Sequence, residues 1–403
     1  MLLRNLQIVS DNSITDILVK GDKIDTVSNY IGNPVEPDVV DFDRAIAFPG
    51  LINSHDHLDF NLFPRLGNRL YNNYVEWSTD IHKQNKDVIN RVLKVPEHLR
   101  VQWGIYKNLL NGVTTVVNHG KKIAADNKLV TVIQNVRSLH SAQLEKYWKL
   151  KLNDPLAGTQ PFVIHAGEGI DYLSRTEIDN ILRWNLFKRD IVAVHGIAMN
   201  ERQAAGFKGL IWCPDSNYFL IGETAQVKKL AQFTDIVFGT DSTLSAGWNI
   251  WDQLRLARSE HVVSDRDLYY MSNTGPADLW QLKGSGKLER SYDADIVIAR
   301  RKRNADGYDA YYSLNPEDIL LVIYKGAIRL FDAELLEQLN YNHNLTGDFS
   351  RISVNGCTKF VYGDLPGLAQ QIRSYYADAW FPFESIATSN EADAPKYVKH
   401  SHR

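Results

Sequence analysis

Short apolar runs recur along most of the chain, and the spacing between them changes character twice. From Leu2 to Phe48 the runs are brief and β-like: Leu6-Gln-Ile-Val, Ile14-Thr-Asp-Ile-Leu-Val and Lys23-Ile-Asp-Thr-Val. Gly21-Asp22 between the last two is a hairpin signal, and Asn33-Pro-Val-Glu-Pro reads as loop. A helix is predicted within Val95 to Leu110, where Leu99, Trp103, Tyr106 and Leu110 recur at helical spacing and Asn111-Gly112 closes the pattern.

From there, continuous apolar runs alternate with amphipathic stretches. The runs are Val113–His119, Leu129–Val136, Pro161–His165, Asp190–His195, Leu210–Pro214 and Ile236–Asp241, with helices predicted near Thr176, Asn200 and Val227. Such alternation means a parallel sheet covered by helices on both faces. The fold class expected is α/β, a (β/α)8 TIM-type barrel spanning residues 49–284. Counting the run that leads into His55, seven strands are visible. The interval Ser138–Gln160 shows no clear eighth, so an irregular barrel is expected there. Composition turns β again at 286–299 and 319–330, which predicts one small β-sandwich built from both chain ends, 1–48 and 285–332. Residues 333–385 read as a helical extension, clearest from Asp364 to Ala379, and 386–403 as a disordered polar tail.

Candidate chemistry gathers at strand ends. Phe48-Pro-Gly-Leu-Ile-Asn-Ser-His-Asp-His57 delivers His55 and His57, which point to one face of an extended chain while Asp56 points away. His165, His195 and Asp241 also stand at the C-terminal ends of apolar runs, and in a barrel all such ends meet at one mouth. A lone histidine is usually a hydrogen-bonded core or loop residue. Five metal-competent side chains at equivalent positions point instead to a metal site, and three imidazoles with a carboxylate suit zinc or another borderline divalent ion. Glu168, in His165-Ala-Gly-Glu, is placed to move protons near a cation.

Composition narrows the field. Of 403 residues, 44% are hydrophobic and 23% charged, ordinary for a globular protein. With 45 Lys and Arg against 48 Asp and Glu, the net charge is -3, which offers no footprint for nucleic acid or an acidic membrane. Two cysteines, Cys213 and Cys357, make no disulfide framework and fit a reducing compartment. The N-terminal apolar run is too short for a signal peptide and no apolar segment reaches membrane-spanning length, so a cytoplasmic protein is expected.

Together, Phe48-Pro-Gly-Leu-Ile-Asn-Ser-His-Asp-His, Asn111-Gly-Val-Thr-Thr, His165-Ala-Gly-Glu, Ala193-Val-His-Gly, Cys213-Pro-Asp-Ser-Asn and Gly239-Thr-Asp-Ser resemble the motifs of the amidohydrolase superfamily. The run Gly286-Lys-Leu-Glu…Ala294-Asp-Ile-Val-Ile resembles that family's return into its β-sandwich. The likeness is nearest the metal-dependent aminohydrolases and chlorohydrolases, which include guanine, cytosine and S-adenosylhomocysteine deaminases. It implies metal ligands His55, His57, His165 and Asp241, with His195 polarising the attacking water and Glu168 as proton shuttle. One divalent ion is expected, zinc first and Fe2+ second, because no lysine stands on a fourth strand to bridge two metals. The chain is short for this branch, and the gap before His165 falls where others carry substrate contacts.

The implied activity is hydrolysis of a non-peptide C–N bond, most simply deamination of a small nitrogen heterocycle. Cyclic-amide hydrolysis or chlorohydrolysis on the same site is the alternative, and an inactive ligand-binding barrel is the alternative of another class. Substrate contacts are sought among His119, Trp77, Ser216, Asn217 and Trp248, with His140, Tyr71, Tyr74 and Trp251 behind them. No Arg or Lys cluster at a strand end indicates a phosphorylated substrate. Homo-oligomers are common in the family, though nothing in this sequence fixes one.

Overall fold

Burial on both faces marks the alternating series as parallel sheet. In the computed structural model, which describes residues 1–32, 39–43, 45–123, 127–302, 305–343 and 348–386, eight strands run parallel to their neighbours. They are β1 (Leu51–Asp56), β2 (Val113–Asn118), β3 (Thr131–Ile133), β4 (Arg137–Ser141), β5 (Phe162–Ala166), β6 (Ile191–His195), β7 (Gly209–Trp212) and β8 (Asp235–Phe238). Every residue of β1, β2, β5, β6 and β7 is buried. The strands form two arcs, one of three in the order β1-β2-β3 and one of five in the order β8-β7-β6-β5-β4.

The strand that apolar patterning missed is β4. Its sequence, Arg-Ser-Leu-His-Ser, holds one aliphatic residue, Leu139, so no run stands out. Backbone pairing with β5 makes it a strand, from Phe162 opposite Arg137 to His165 opposite Ser141.

Both chain ends share one eleven-stranded sheet. Strands Leu2–Ile8, Ile14–Lys20, Lys23–Ser28, Val39–Asp41 and Ile46–Pro49 join Ile296–Ala299, Ile319–Tyr324, Ala327–Asp332, Phe349–Val354, Cys357–Tyr362 and Glu384–Ser385. The suture is Ile46–Pro49 lying antiparallel to Ile296–Ala299, with Phe48 opposite Val297. Residues 333–385 are therefore not helical throughout. Helices cover Leu336–His343 and Leu365–Tyr375, but the hairpin Phe349–Tyr362 between them extends the sheet. Its turn, Asn355-Gly356, has φ of 46° and 82°, the left-handed pair that a tight hairpin requires. The expected loop at 33–37 and the expected disordered tail from 387 lie outside the described residues. No helix among the described residues is long and apolar enough to cross a membrane.

The Glu97–Leu110 helix lies against the loop that follows β1, and it buries Lys107 and Asn108 along with its apolar face. Gly104 permits the approach: a Cβ there would sit 2.2 Å from the Leu58 carbonyl oxygen. Gly104→Ala is expected to destabilise the protein by about 1–3 kcal/mol through overpacking against backbone. Urea unfolding measures this, and an unchanged midpoint would remove the helix from that contact.

Candidate metal centre

β1 ends in Ser54-His-Asp56 with His57 directly after it, and the alternation sends both imidazoles to one side. His55 is 0% exposed and His57 9%. His55 Nε2 lies 3.3 Å from His165 Nε2 and 3.9 Å from Asp241 Oδ1. His57 Nε2 is also 3.9 Å from Asp241 Oδ1. Nitrogens on a tetrahedral zinc are separated by about 3.3–3.4 Å, given Zn–N of about 2.0–2.1 Å. Ligand atoms of His55, His165 and His195 lie within 4.8 Å of one another, and so do those of His55, His57 and Asp241.

Hydrogen bonds behind the rings fix which nitrogens face inward. His165 Nδ1 is 2.7 Å from the His140 backbone carbonyl, so it must donate, and in the neutral ring Nε2 is then a bare lone pair. This partner comes from β4. His195 Nδ1 is 2.8 Å from Asn217 Oδ1, and Asn217 is oriented by donating its own N–H to Thr224 Oγ1 at 3.0 Å. His195 Nε2 is thereby left free, 3.6 Å from Glu168 Oε2. Ser216 and Ser245 hydroxyls donate to Asp241 Oδ2 at 2.8 and 2.9 Å, and the Ser242 N–H donates to Oδ1 at 2.6 Å. Two buried rings keep polar atoms without partners: Nδ1 of His55, and both nitrogens of His119.

Burial pushes His55, His119 and His165 well below the ordinary imidazole pKa and lowers His195 as well. All four are neutral at pH 7, the form that ligates or accepts a proton. Burial works upward on Asp241, but His57, His195, the Ser242 N–H and the Ser216 hydroxyl outweigh it and hold the carboxyl below its usual range. Glu168 goes the other way, held well above the carboxylate range by burial, with the Asp241 and Glu177 charges adding. The mouth thus collects neutral imidazoles, one anionic carboxylate and one protonated carboxyl. That donor set fits a divalent cation.

Backbone strain accompanies the chemistry. His195 and Asp241 have φ of 71° and 57°, left-handed values for residues with a Cβ, and Gly167 has 65°. At Gly167 the turn brings Glu168 back toward the mouth, while the Tyr74 N–H donates to the Glu168 carbonyl at 3.1 Å. Glu177 braces the same turn. Its carboxylate accepts from the Tyr74 hydroxyl at 2.7 Å and from the Gly167 N–H at 3.2 Å.

The residues sought as substrate contacts are spread over several places. His119 packs among the site rings, 4.5 Å from the His165 ring centroid and 5.2 Å from those of His55 and His57. Ser216 and Asn217 face Asp241 and His195. Trp77 donates to the Leu66 carbonyl at 2.6 Å and packs near Ile197 and Leu220. Trp248 lines a separate cavity of about 320 Å³ with Phe63, Trp103, Tyr376 and Trp380, which none of the histidines lines. Trp251 is fully buried against Phe48 and Tyr311. Sequence reasoning missed Glu177, Lys107 and Asn108. Lys107 was detectable, lying four residues after Trp103 on the apolar face of its helix.

No protein-family profile matches the chain. A 5-methylthioadenosine/S-adenosylhomocysteine deaminase from Pyrococcus abyssi is 23% identical over 398 residues, covering 80% of this chain and 90% of the relative. The fold is similar to that of an adenosine deaminase from Xanthomonas campestris with bound zinc, at TM-score 0.69 and 15% identity, covering 93% of this chain and 97% of that one. An atrazine chlorohydrolase from Arthrobacter aurescens complexed with zinc aligns at TM-score 0.61 and 18% identity, covering 85% of this chain and 99% of its own. In sequence and in fold the chain is similar to these deaminases and to this chlorohydrolase.

Glu177 supplies a pH-dependent prediction. Burial raises its pKa from 4.5 to about 7, so its contribution to folded stability is complete below 4.5 and is lost as pH rises through about 7. Glu177→Gln should remove that dependence, so its melting temperature relative to wild type climbs across this interval. Calorimetry of metal-free protein measures the difference, and parallel curves would contradict it.

Proposed function

We propose that the protein is a metal-dependent hydrolase of C–N bonds other than peptide bonds that deaminates a small nitrogen heterocycle. The observation carrying this reading is the pairing of Glu168, which holds its proton, with the bare Nε2 of His195 at 3.6 Å, beside four ligand side chains. His55, His57, His165 and Asp241 would hold one divalent ion, zinc first and Fe2+ second. The absence of lysine from β4 (Arg137–Ser141) supports one ion over two. A divalent cation here supplies acidified water, lowering its pKa from about 15.7 to about 7, which no side-chain base matches.

The chain's own groups do the rest. Asn217 keeps His195 in the tautomer whose Nε2 accepts a proton from water. Glu168 delivers its proton to the ring nitrogen next to the carbon under attack and takes the hydroxyl proton back as the carbonyl forms, while the proton held by His195 passes to the amino group, which leaves as ammonia. Ser216 and Ser245 hold Asp241 by one oxygen, so its other oxygen faces His55 and His57. His119, with two unpartnered nitrogens, is the substrate contact favoured over Trp77 and Trp248.

The two arcs complete a (β/α)8 barrel over 49–284, and the terminal sheet is a separate unit. The free thiols of Cys213 and Cys357 support a cytoplasmic setting. Heterocycle substrates have precedent in the relatives, which are named as deaminases of adenosine derivatives and as an atrazine chlorohydrolase.

Metal analysis of protein purified without chelator is the first test, followed by ammonia and chloride release over adenosine derivatives, guanine and chlorinated triazines. Metal with ammonia release supports deamination, chloride alone points to the chlorohydrolase reading, and no metal overturns both. His165→Ala should lose metal and turnover together. Glu168→Gln should keep metal and lose about 10²–10⁴-fold in kcat. Normal turnover in the second variant would remove Glu168 from the reaction.

A further inference from the structure

The proposed site residues divide between the arcs: His55 on β1 with His57 just past it, and the ligands His165 and Asp241, with His195, on or just past strands of the other arc. Among the described residues no β-ladder joins β8 to β1, although Asp241 must meet His55 there. Side chains and single backbone bonds close this seam. The Asp241 N–H donates to the His55 carbonyl at 3.0 Å. The Thr240 N–H donates to Asn53 Oδ1 at 3.0 Å, and Asn53 Nδ2 donates to Thr240 Oγ1 at 2.8 Å.

Lys107 spans the seam from behind. Its ammonium, on a residue 1% exposed, donates to Asp56 Oδ2 at 3.1 Å and to Asn61 Oδ1 at 2.8 Å. It also lies 3.5 Å from Thr240 Oγ1 and 3.4 Å from the Asp241 carbonyl. Asp56, 0% exposed, further accepts from Asn108 Nδ2 and Asn61 Nδ2, both at 2.8 Å. One cation therefore touches the His-x-His strand, the loop after it and the turn carrying Asp241, whose left-handed backbone needs outside support. Buried ion pairs contribute little net stability compared with apolar packing, so stability alone does not account for a pair here. What the pair adds is direction, because it keeps the only carboxylate between two ligands turned away from the cation.

We propose that Lys107 and Asp56 form the positioning unit of the metal centre, clamping His55 and His57 against Asp241 across the seam and so setting metal affinity. The proposal rests on the metal reading above. Its test compares wild type, Lys107→Met, Thr240→Val and the double variant Asp56→Asn/Lys107→Met, which leaves no unpaired buried charge. The readings are the zinc dissociation constant by chelator competition, the visible spectrum of the cobalt-substituted protein, and the melting temperature of the metal-free form.

Zinc should bind about 10–100-fold more weakly in Lys107→Met and in the double variant, as for other groups that orient metal ligands. Their cobalt bands should shift, and the double variant should recover melting temperature without recovering affinity. Thr240→Val should weaken binding in the same direction. Wild-type affinity and an unaltered cobalt spectrum in the variants would overturn the proposal, however far the melting temperature falls. A wild type that binds neither ion overturns the metal reading and this proposal together. Should Lys107→Met fail to fold, Thr240→Val and the double variant decide by the same measurements.

Discussion

Taking a cluster of imidazoles out of water is the constraint that shapes everything around it. A buried imidazole is driven toward its neutral form, and a neutral ring has one donor nitrogen and one acceptor. Each ring must therefore place its N–H somewhere, and where it does so decides what its other nitrogen offers. His165 gives its proton to a backbone carbonyl on β4, and His195 gives its own to Asn217. The inward lone pairs follow from those choices. The same desolvation acts oppositely on carboxyls, so Glu168 keeps a proton while Asp241, surrounded by donors, loses one. Burial raises both carboxyls, and what separates them is the imidazoles and donors that outweigh it at Asp241.

The supporting structure is organised to hold these groups against backbone preference. His195 and Asp241 both adopt left-handed conformations immediately after their strands, where the chain must turn sharply while its side chain still points into the mouth. Such conformations persist where neighbouring bonds over-determine them. At His195 the Gly196 N–H returns to the Ala166 carbonyl at 3.1 Å, tying β6 to β5 at that level. At Asp241 the anchor is the His55 carbonyl on the opposite arc. At both positions the strained residue is the one whose side chain enters the histidine cluster.

Much of this was legible in the residues. Apolar runs ending in His or Asp gave the strand ends directly, because parallel strands buried on both faces must be continuously apolar. The pattern failed where that premise failed: β4 is polar, and only its backbone pairing reveals it. The hairpin at 349–362 was hidden between two helices, though Asn355-Gly356 announced its turn. Among the site residues, the ligating types were visible because histidines at strand ends are rare. Of the residues that orient them, Ser216 and Asn217 were read only as substrate contacts and Glu177 not at all, since these types serve equally on any surface. Lys107 lay between these cases, a charge on an apolar helical face whose meaning depends on what lies beneath it.

The suture at Phe48 has a consequence for how the protein is made. The strand that leads into His55 hydrogen-bonds along Ile296–Ala299, and the Gly50 N–H reaches the Asp295 carbonyl at 2.8 Å. A nascent chain leaving the ribosome thus carries His55 and His57 long before the segment that anchors their approach has been translated. The histidine cluster therefore gains this support only once residues 296–299 have been made, and any product that stops before them presents Ile46–Pro49 without that partner.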